Sequence, residues 1–213
     1  MDLQTDPETD QEILERRRSR RLILILLGIF LAPILAAYSV FFLFPALRPT
    51  GTTNYGTLVN PARPLPALSL QDAGGQAPID NPLKGRWSLV YVGGPTCDEA
   101  CLKEIFLGRQ VRTSLARDEA RLRRVYIAPG AAALAAVKTV FADGQPDLRA
   151  YADAGSSGAR AADFFQNQPA NSLFLLDPLG NWLMVYPPQA DQDKDFKGVL
   201  KDLKKLLNQS QID

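Results

Sequence analysis

The chain contains no histidine. That absence excludes any Ser-His or Cys-His nucleophilic arrangement and any imidazole metal ligand. Cysteine is almost as scarce, with only Cys97 and Cys101, both inside one five-residue window. Two cysteines are too few for a disulfide framework. A pair this close, in an oxidising compartment, reads as a site rather than a staple. These are the only strong soft ligands or nucleophiles available. Net charge is nearly absent as well, with 24 Lys+Arg against 23 Asp+Glu. Bulk electrostatics therefore suggest neither nucleic acid nor an acidic surface as a partner.

Charge vanishes altogether from Leu22 to Phe44, which runs LILILLGIFLAPILAAYSVFFLF, 23 residues. At about 1.5 Å per residue a helix of that length spans a hydrocarbon core of about 30 Å. Gly28 and Pro33 are tolerable inside a membrane helix. Arg16, Arg17, Arg18, Arg20 and Arg21 stand immediately before the run, while only Arg48 and Arg63 occur in the 30 residues after it. The positive-inside bias places the N-terminus in the cytoplasm and everything after Pro45 across the membrane. In a bacterial cell that means a single-pass anchor in the inner membrane and a domain in the periplasm. The rival reading is a cleaved secretory signal, whose apolar region is about 7–15 residues, shorter than this one. The domain faces the same compartment in either case.

The organisation that follows is a cytoplasmic tail at residues 1–21, a transmembrane helix at 22–44, a stalk at 45–66, a folded domain at 67–208 and a short tail at 209–213. The stalk reads PALRPTGTTNYGTLVNPARPLP, rich in Pro, Gly and Thr and without periodicity. In the domain, Ala67–Gln71 and Ala77–Ile79 flank Asp72-Ala73-Gly74-Gly75 as an expected β-hairpin. Trp87–Val92 reads as a buried strand, the stretch from Cys97 to about Leu115 as a helix, and Leu122–Ala128 as the next strand. A helix over Ala131–Ala142, a short strand over Leu148–Tyr151 and a short helix over Ala159–Gln166 come next. Ser172–Asp177 and Trp182–Tyr186 form a hairpin around Pro178-Leu179-Gly180-Asn181. The last helix, Asp191–Asn208, puts Phe196, Val199, Leu200, Leu203, Leu206 and Leu207 on one face, with Lys194, Lys197, Lys201, Lys204 and Lys205 elsewhere. Hairpin, βα, βα, β-hairpin, α is the order of a thioredoxin-like α/β domain, a central mixed sheet flanked by helices.

Gly93-Gly94-Pro95-Thr96-Cys97-Asp98-Glu99-Ala100-Cys101 falls where the first long strand hands over to the first long helix. Thr96 and Glu99 have the spacing of a capping box, which would make Cys97 the first helical residue and Cys101 its neighbour one turn on. Cα atoms one turn apart are about 6 Å from each other, within reach of a disulfide. The helix N-terminus favours a thiolate at Cys97, the attacking thiol, while Asp98 and Glu99 oppose it; Cys101 is the resolving thiol. The same two sulfurs suit Cu(I), a soft ion. An inert structural disulfide is the bland alternative. Met184, inside a strand, reads as core. Arg109, Arg112, Arg117, Arg121, Arg123 and Arg124, interleaved with Asp118 and Glu119, read as a solvated, partly paired face.

The strand followed by Cys97-x-x-x-Cys101, the preceding hairpin behind a stalk, and the segment Leu173–Asn181 (LFLLDPLGN) together resemble the Sco/SenC family over roughly residues 64–208. That resemblance implies a membrane-anchored thioredoxin-like domain that helps assemble the copper centre of cytochrome c oxidase. It also carries the family's cysteine roles onto Cys97 and Cys101. Two departures qualify it. Family cysteines are usually followed by proline, but Asp98 and Leu102 follow here; and the family's copper-ligand histidine has no counterpart, the corresponding position being Pro169. Gln168-Pro169 instead invites comparison with the cis-proline that related folds set opposite their cysteines. Three functions remain open. One is an oxidase assembly factor acting by thiol–disulfide exchange on a copper-site client, a thiol–disulfide oxidoreductase that requires no cofactor. Another is a copper(I) carrier whose site a partner completes. The third is a non-catalytic scaffold for an assembly intermediate. The implied partners are an oxidase subunit or another copper-assembly protein, and the membrane, with no nucleic acid.

Overall fold

The computed structural model of the chain describes residues 7–44, 53–141, 144–156 and 160–210. The chain divides into two units, Met1–Thr52 and Thr53–Asp213. The first holds helix α1, Pro7–Phe42. It starts well before the apolar run, because Arg and Glu are good helix formers and nothing in Glu12–Arg21 breaks the ladder. Within it Arg16–Phe42 is long and apolar enough to cross a membrane, and Pro33 lies inside it.

The second unit is a seven-stranded sheet in the order β1-β7-β6-β3-β4-β5-β2. Its strands are β1 (Thr57–Pro64), β2 (Leu70–Gln71), β3 (Trp87–Val92), β4 (Leu122–Ala128), β5 (Leu148–Asp153), β6 (Leu173–Leu176) and β7 (Asn181–Tyr186). β3, β4 and β5 run parallel, joined by helices α2 (Glu99–Thr113) and α3 (Ala131–Phe141). Short α4 (Ala161–Phe164) precedes β6, and α5 (Gln192–Gln209) closes the chain. β6 pairs antiparallel with both β3 and β7. The thioredoxin-like mixed sheet expected from the element order is therefore present.

Alternation along each strand builds two cores. Leu89 and Tyr91 of β3 join Cys101, Ile105 and Val111 of α2, Leu134 and Val137 of α3, and Val199, Leu203 and Leu207 of α5. On the other face Val90, Val125, Ile127, Phe174 and Trp182 pack with Ala161 and Phe165. The β6–β7 turn is held by Asp177, whose carboxylate accepts from the Asn181 amide at 2.7 Å, with Gly180 in the left-handed region at φ 88°.

Three expectations require correction. The second half of the expected stalk is part of the domain: Thr57–Pro64 forms edge strand β1 against β7. Its residues are mostly exposed, so no apolar alternation marked it, and an edge strand tolerates Pro61 and Pro64. Residues 45–52 lie outside the described residues. The hairpin over 67–79 is also absent. The turn at Asp72–Gln76 forms, but β2 pairs with β5, and Ala77–Ile79 is not a strand. Finally, Arg124 is 2% exposed rather than solvated, and its guanidinium donates to Asp147, Gln145 and the Ile105 carbonyl. An arginine fork can tie several acceptors at once, so it staples α2 and the 144–147 loop to β4.

Candidate functional site

β3 ends at Val92, and Gly93 carries the chain off the C-terminal end of this central strand. A Cβ on Gly93 would sit 1.9 Å from the Tyr126 hydroxyl, so only glycine fits there. Cys97 and Cys101 follow and are joined by a disulfide, with Cα atoms 5.2 Å apart. Their environments differ. Cys97 is half-buried, whereas Cys101 is 3% exposed and belongs to the core beside Ile105.

The helix cap is not Thr96 but Asp98, whose carboxylate accepts from the Cys101 amide at 2.9 Å. Aspartate caps at least as well as threonine and sits at the right offset from N3. Cys97 thus precedes the cap instead of opening the helix, and Cys101 occupies the third helical position. The unpaired amides of the first turn still lie at this corner, with Asp98 opposing their effect on a thiolate. Glu99 is drawn off to Lys103, 3.1 Å away on the helix surface.

Beneath the motif, Tyr91 donates to the Asn171 side-chain oxygen at 2.6 Å and stacks on Tyr126, with ring centroids 5.6 Å apart. Burial pushes the Tyr91 phenol well above its ordinary range. Asn171 sits in the left-handed region at φ 60° and lines two clefts on either side of it. One, of about 400 Å³, is bounded by Gly93, Gly94, Phe165, Pro169 and Phe174. Pro169 lines this cleft with Gly93 and Gly94 at the end of β3, but neither cysteine does. The Gln168–Pro169 bond is not cis, however; the one cis bond among the described residues is Asn60–Pro61.

The other cleft, of about 560 Å³, runs between Ala100, Lys103 and Glu104 of α2 and the Gln189–Asp193 segment. Glu104 was not singled out from the sequence. It is 6% exposed and lies one residue short of a turn beyond Cys101, on the same face of α2. Burial, and then the Asp195 carboxylate, raise its pKa from 4.5 to about 7. Asp195, itself buried, accepts from the Tyr55 hydroxyl at 3.0 Å and from the Gln189 amide at 3.2 Å. A signal was available in the sequence. Buried positions 101, 104, 105, 108 and 111 form the inward stripe of α2, and a carboxyl interrupts it. Met184 is core, as expected, with Tyr186 donating to its sulfur at 3.5 Å. Among the described residues, no three His, Cys, Asp or Glu side chains gather as a metal site.

The model of the transmembrane-like, thioredoxin-like C-terminal domain matches residues 87–210. The chain belongs to that family. No curated protein matches it by sequence. Among solved structures, it is similar to apo Sco1 from Thermus thermophilus, with TM-score 0.51, 17% identity, and coverage of 74% of this chain and 99% of that one. It is also similar to BsSco, described as a member of the Sco family of cytochrome c oxidase assembly proteins with a disulfide switch. There the TM-score is 0.53 at 13% identity, covering 72% and 99% of the two chains. A thioredoxin-like protein from Porphyromonas gingivalis aligns with TM-score 0.53 at 16% identity, over 68% and 93%. At these identities the likeness shows a shared thioredoxin fold. Together with α1, it gives a Sco-like fold behind one candidate membrane helix.

Proposed function

We propose that this domain performs thiol–disulfide exchange on cysteines of a partner protein during assembly of a respiratory cytochrome c oxidase, on the far side of the membrane from the arginine-rich end of α1. The observation that carries this reading is the asymmetry of the Cys97–Cys101 disulfide, one sulfur half-exposed at an open corner and the other buried a turn from a carboxyl near neutrality. In the reduced domain, the Cys97 thiolate attacks a client disulfide, forming a mixed disulfide and releasing one client thiolate. Cys101 loses its proton to Glu104 and attacks the Cys97 sulfur. The second client thiolate leaves, the intramolecular bond closes, and two electrons have passed to the client. An upstream dithiol restores the pair. Leu102 and Phe106, exposed one turn apart on α2, offer apolar surface for a client beside the reacting sulfurs.

Copper sites built from cysteine need reduced thiols, and an oxidising compartment closes them. A tethered reductant answers that need. The donor set does not fit a copper site of two sulfurs and an imidazole, since the chain has no histidine. Thiol exchange needs no third ligand.

The test uses full-length protein in lipid nanodiscs. Thiol trapping across a glutathione series should show Cys97 and Cys101 titrating together, and Cys97→Ser should abolish exchange with a model disulfide while the fold persists. A pair that stays oxidised under strong reductant, or a stable one-to-one Cu(II) complex of the reduced protein, would overturn the reading.

A further inference from the structure

We propose that the exposed face of α5 is a docking surface for the anionic phospholipid headgroups of the membrane in which the chain is anchored. Lys194, Lys197, Lys201, Lys204 and Lys205 are all exposed. At about 100° per residue they fall within an arc of about 100° on the helix. Val199, Leu203 and Leu207 occupy the opposite side and are buried. Among the described residues none of the five lysines is in an ion pair; the single polar contact is Lys205 Nζ donating to Thr53 Oγ1 at 2.8 Å. An ordinary solvated helix face intersperses carboxylates three or four residues from its lysines, as Glu99 does for Lys103. Around Lys201, Lys204 and Lys205 no exposed carboxylate of α5 stands at that spacing, since Asp202, three residues before Lys205, points into the fold. The exposed Asp191 and Asp193 stand at that spacing only from Lys194 and Lys197, at the start of the helix.

A second, independent observation concerns where the chain enters the domain. The Tyr55 and Gly56 amides donate to the Asp202 carboxylate, each at 2.8 Å at the shorter contact, and the Tyr55 hydroxyl donates to Asp195. The entering chain is thus pinned along α5, and a shallow groove of about 670 Å³ separates Thr53 and Asn54 from Lys194, Lys197 and Lys201, with Asp191 and Asp193 also lining it. Only residues 45–52 lie between Phe44 and Thr53. Fully extended, such a segment reaches about 30 Å. So short a tether gives the lysine face a high effective concentration at a lipid surface. Each lysine near an anionic surface strengthens association about fivefold. A chain of net charge +1 gains no such attraction in bulk; the segregation of charge onto one face supplies it.

The experiment compares full-length protein in nanodiscs of phosphatidylcholine with protein in discs of phosphatidylcholine and phosphatidylglycerol, reading amine acylation at each lysine by mass spectrometry. In anionic discs, acylation at Lys194, Lys197, Lys201, Lys204 and Lys205 should slow at least about threefold, with the difference removed by high salt. Lys103 and Lys138 should not change. The triple variant Lys197→Gln, Lys201→Gln, Lys204→Gln alters only exposed side chains, and in it the protection of Lys194 and Lys205 should be lost. Equal rates in the two lipid compositions would overturn the proposal and leave an acidic protein as the stripe's partner. Equal slowing at Lys103 and Lys138 would also overturn it. So would protection in neutral discs by soluble glycerophosphoglycerol, which would indicate a phosphate site instead of a surface.

Discussion

α2 and α5 pack into the same core, and each turns carboxyls inward, with opposite consequences. On α5, Asp202 accepts from the Tyr55 and Gly56 amides, and Asp195 accepts from the Tyr55 hydroxyl and the Gln189 amide. On α2, Glu104 is nearly as buried but has no hydrogen-bond donor among the described residues, and its pKa rises to about 7. At Glu104 no donated hydrogen bond offsets the burial, and desolvation leads the shift. One helix uses its buried acids to hold the chain entry, and the other leaves one without a donor, three residues from Cys101.

The largest expected effect lies on α5. Asp202→Ala would leave the buried Gly56 amide and the part-buried Tyr55 amide without acceptors, a loss of about 3 kcal/mol at roughly 1–3 kcal/mol per orphaned donor, with the second amide discounted for its exposure. Urea unfolding of full-length protein in detergent measures it. A loss under about 1 kcal/mol would mean that water replaces the carboxylate and that the contrast with Glu104 is smaller than the contacts suggest.

Glu104→Gln comes next and should behave in the opposite sense. The folded-state pKa is raised above the unfolded value, so the folded state holds the proton more tightly. The native state gains from this below pH 4.5 and loses it progressively as pH rises through about 7. Glutamine, which never ionises, should therefore match wild type near pH 5 and exceed it by roughly 3 kcal/mol at pH 8. The same variant should remove the inflection near neutrality from the pH profile of disulfide closure. A stability difference that is the same at both pH values would show that folding does not shift the Glu104 pKa. The smallest effect belongs to the surface of α2. Lys103→Ala breaks an exposed pair with Glu99 and should cost under about 0.5 kcal/mol.

Much of this was legible from residue patterns. The WSLVYV strand, the LFLLD and WLMVY hairpin and the amphipathic last helix all formed where periodicity put them, and their order gave the fold. The cysteine pair stood out through the scarcity of cysteine and histidine. β1 was not legible, because a mostly exposed edge strand with two prolines carries no alternation. The cap at Asp98 was missed because Thr96 and Asp98 are both good caps, and local sequence does not choose between them.

Composition and local pattern determined what is covalent or nearest-neighbour in origin: an apolar run long enough to cross a membrane, the strand and helix periods, a cysteine pair four residues apart with no imidazole to accompany it. Tertiary packing decided what depends on residues far apart in the chain. It paired Thr57–Pro64 with a strand more than a hundred residues later. It left Cys97 half-exposed while sinking Cys101 into the core, and it brought Asp195 to Glu104. The physical reason is common to these: strand partnership, accessibility and pKa depend on what surrounds a group in space, and only the folded chain defines that space.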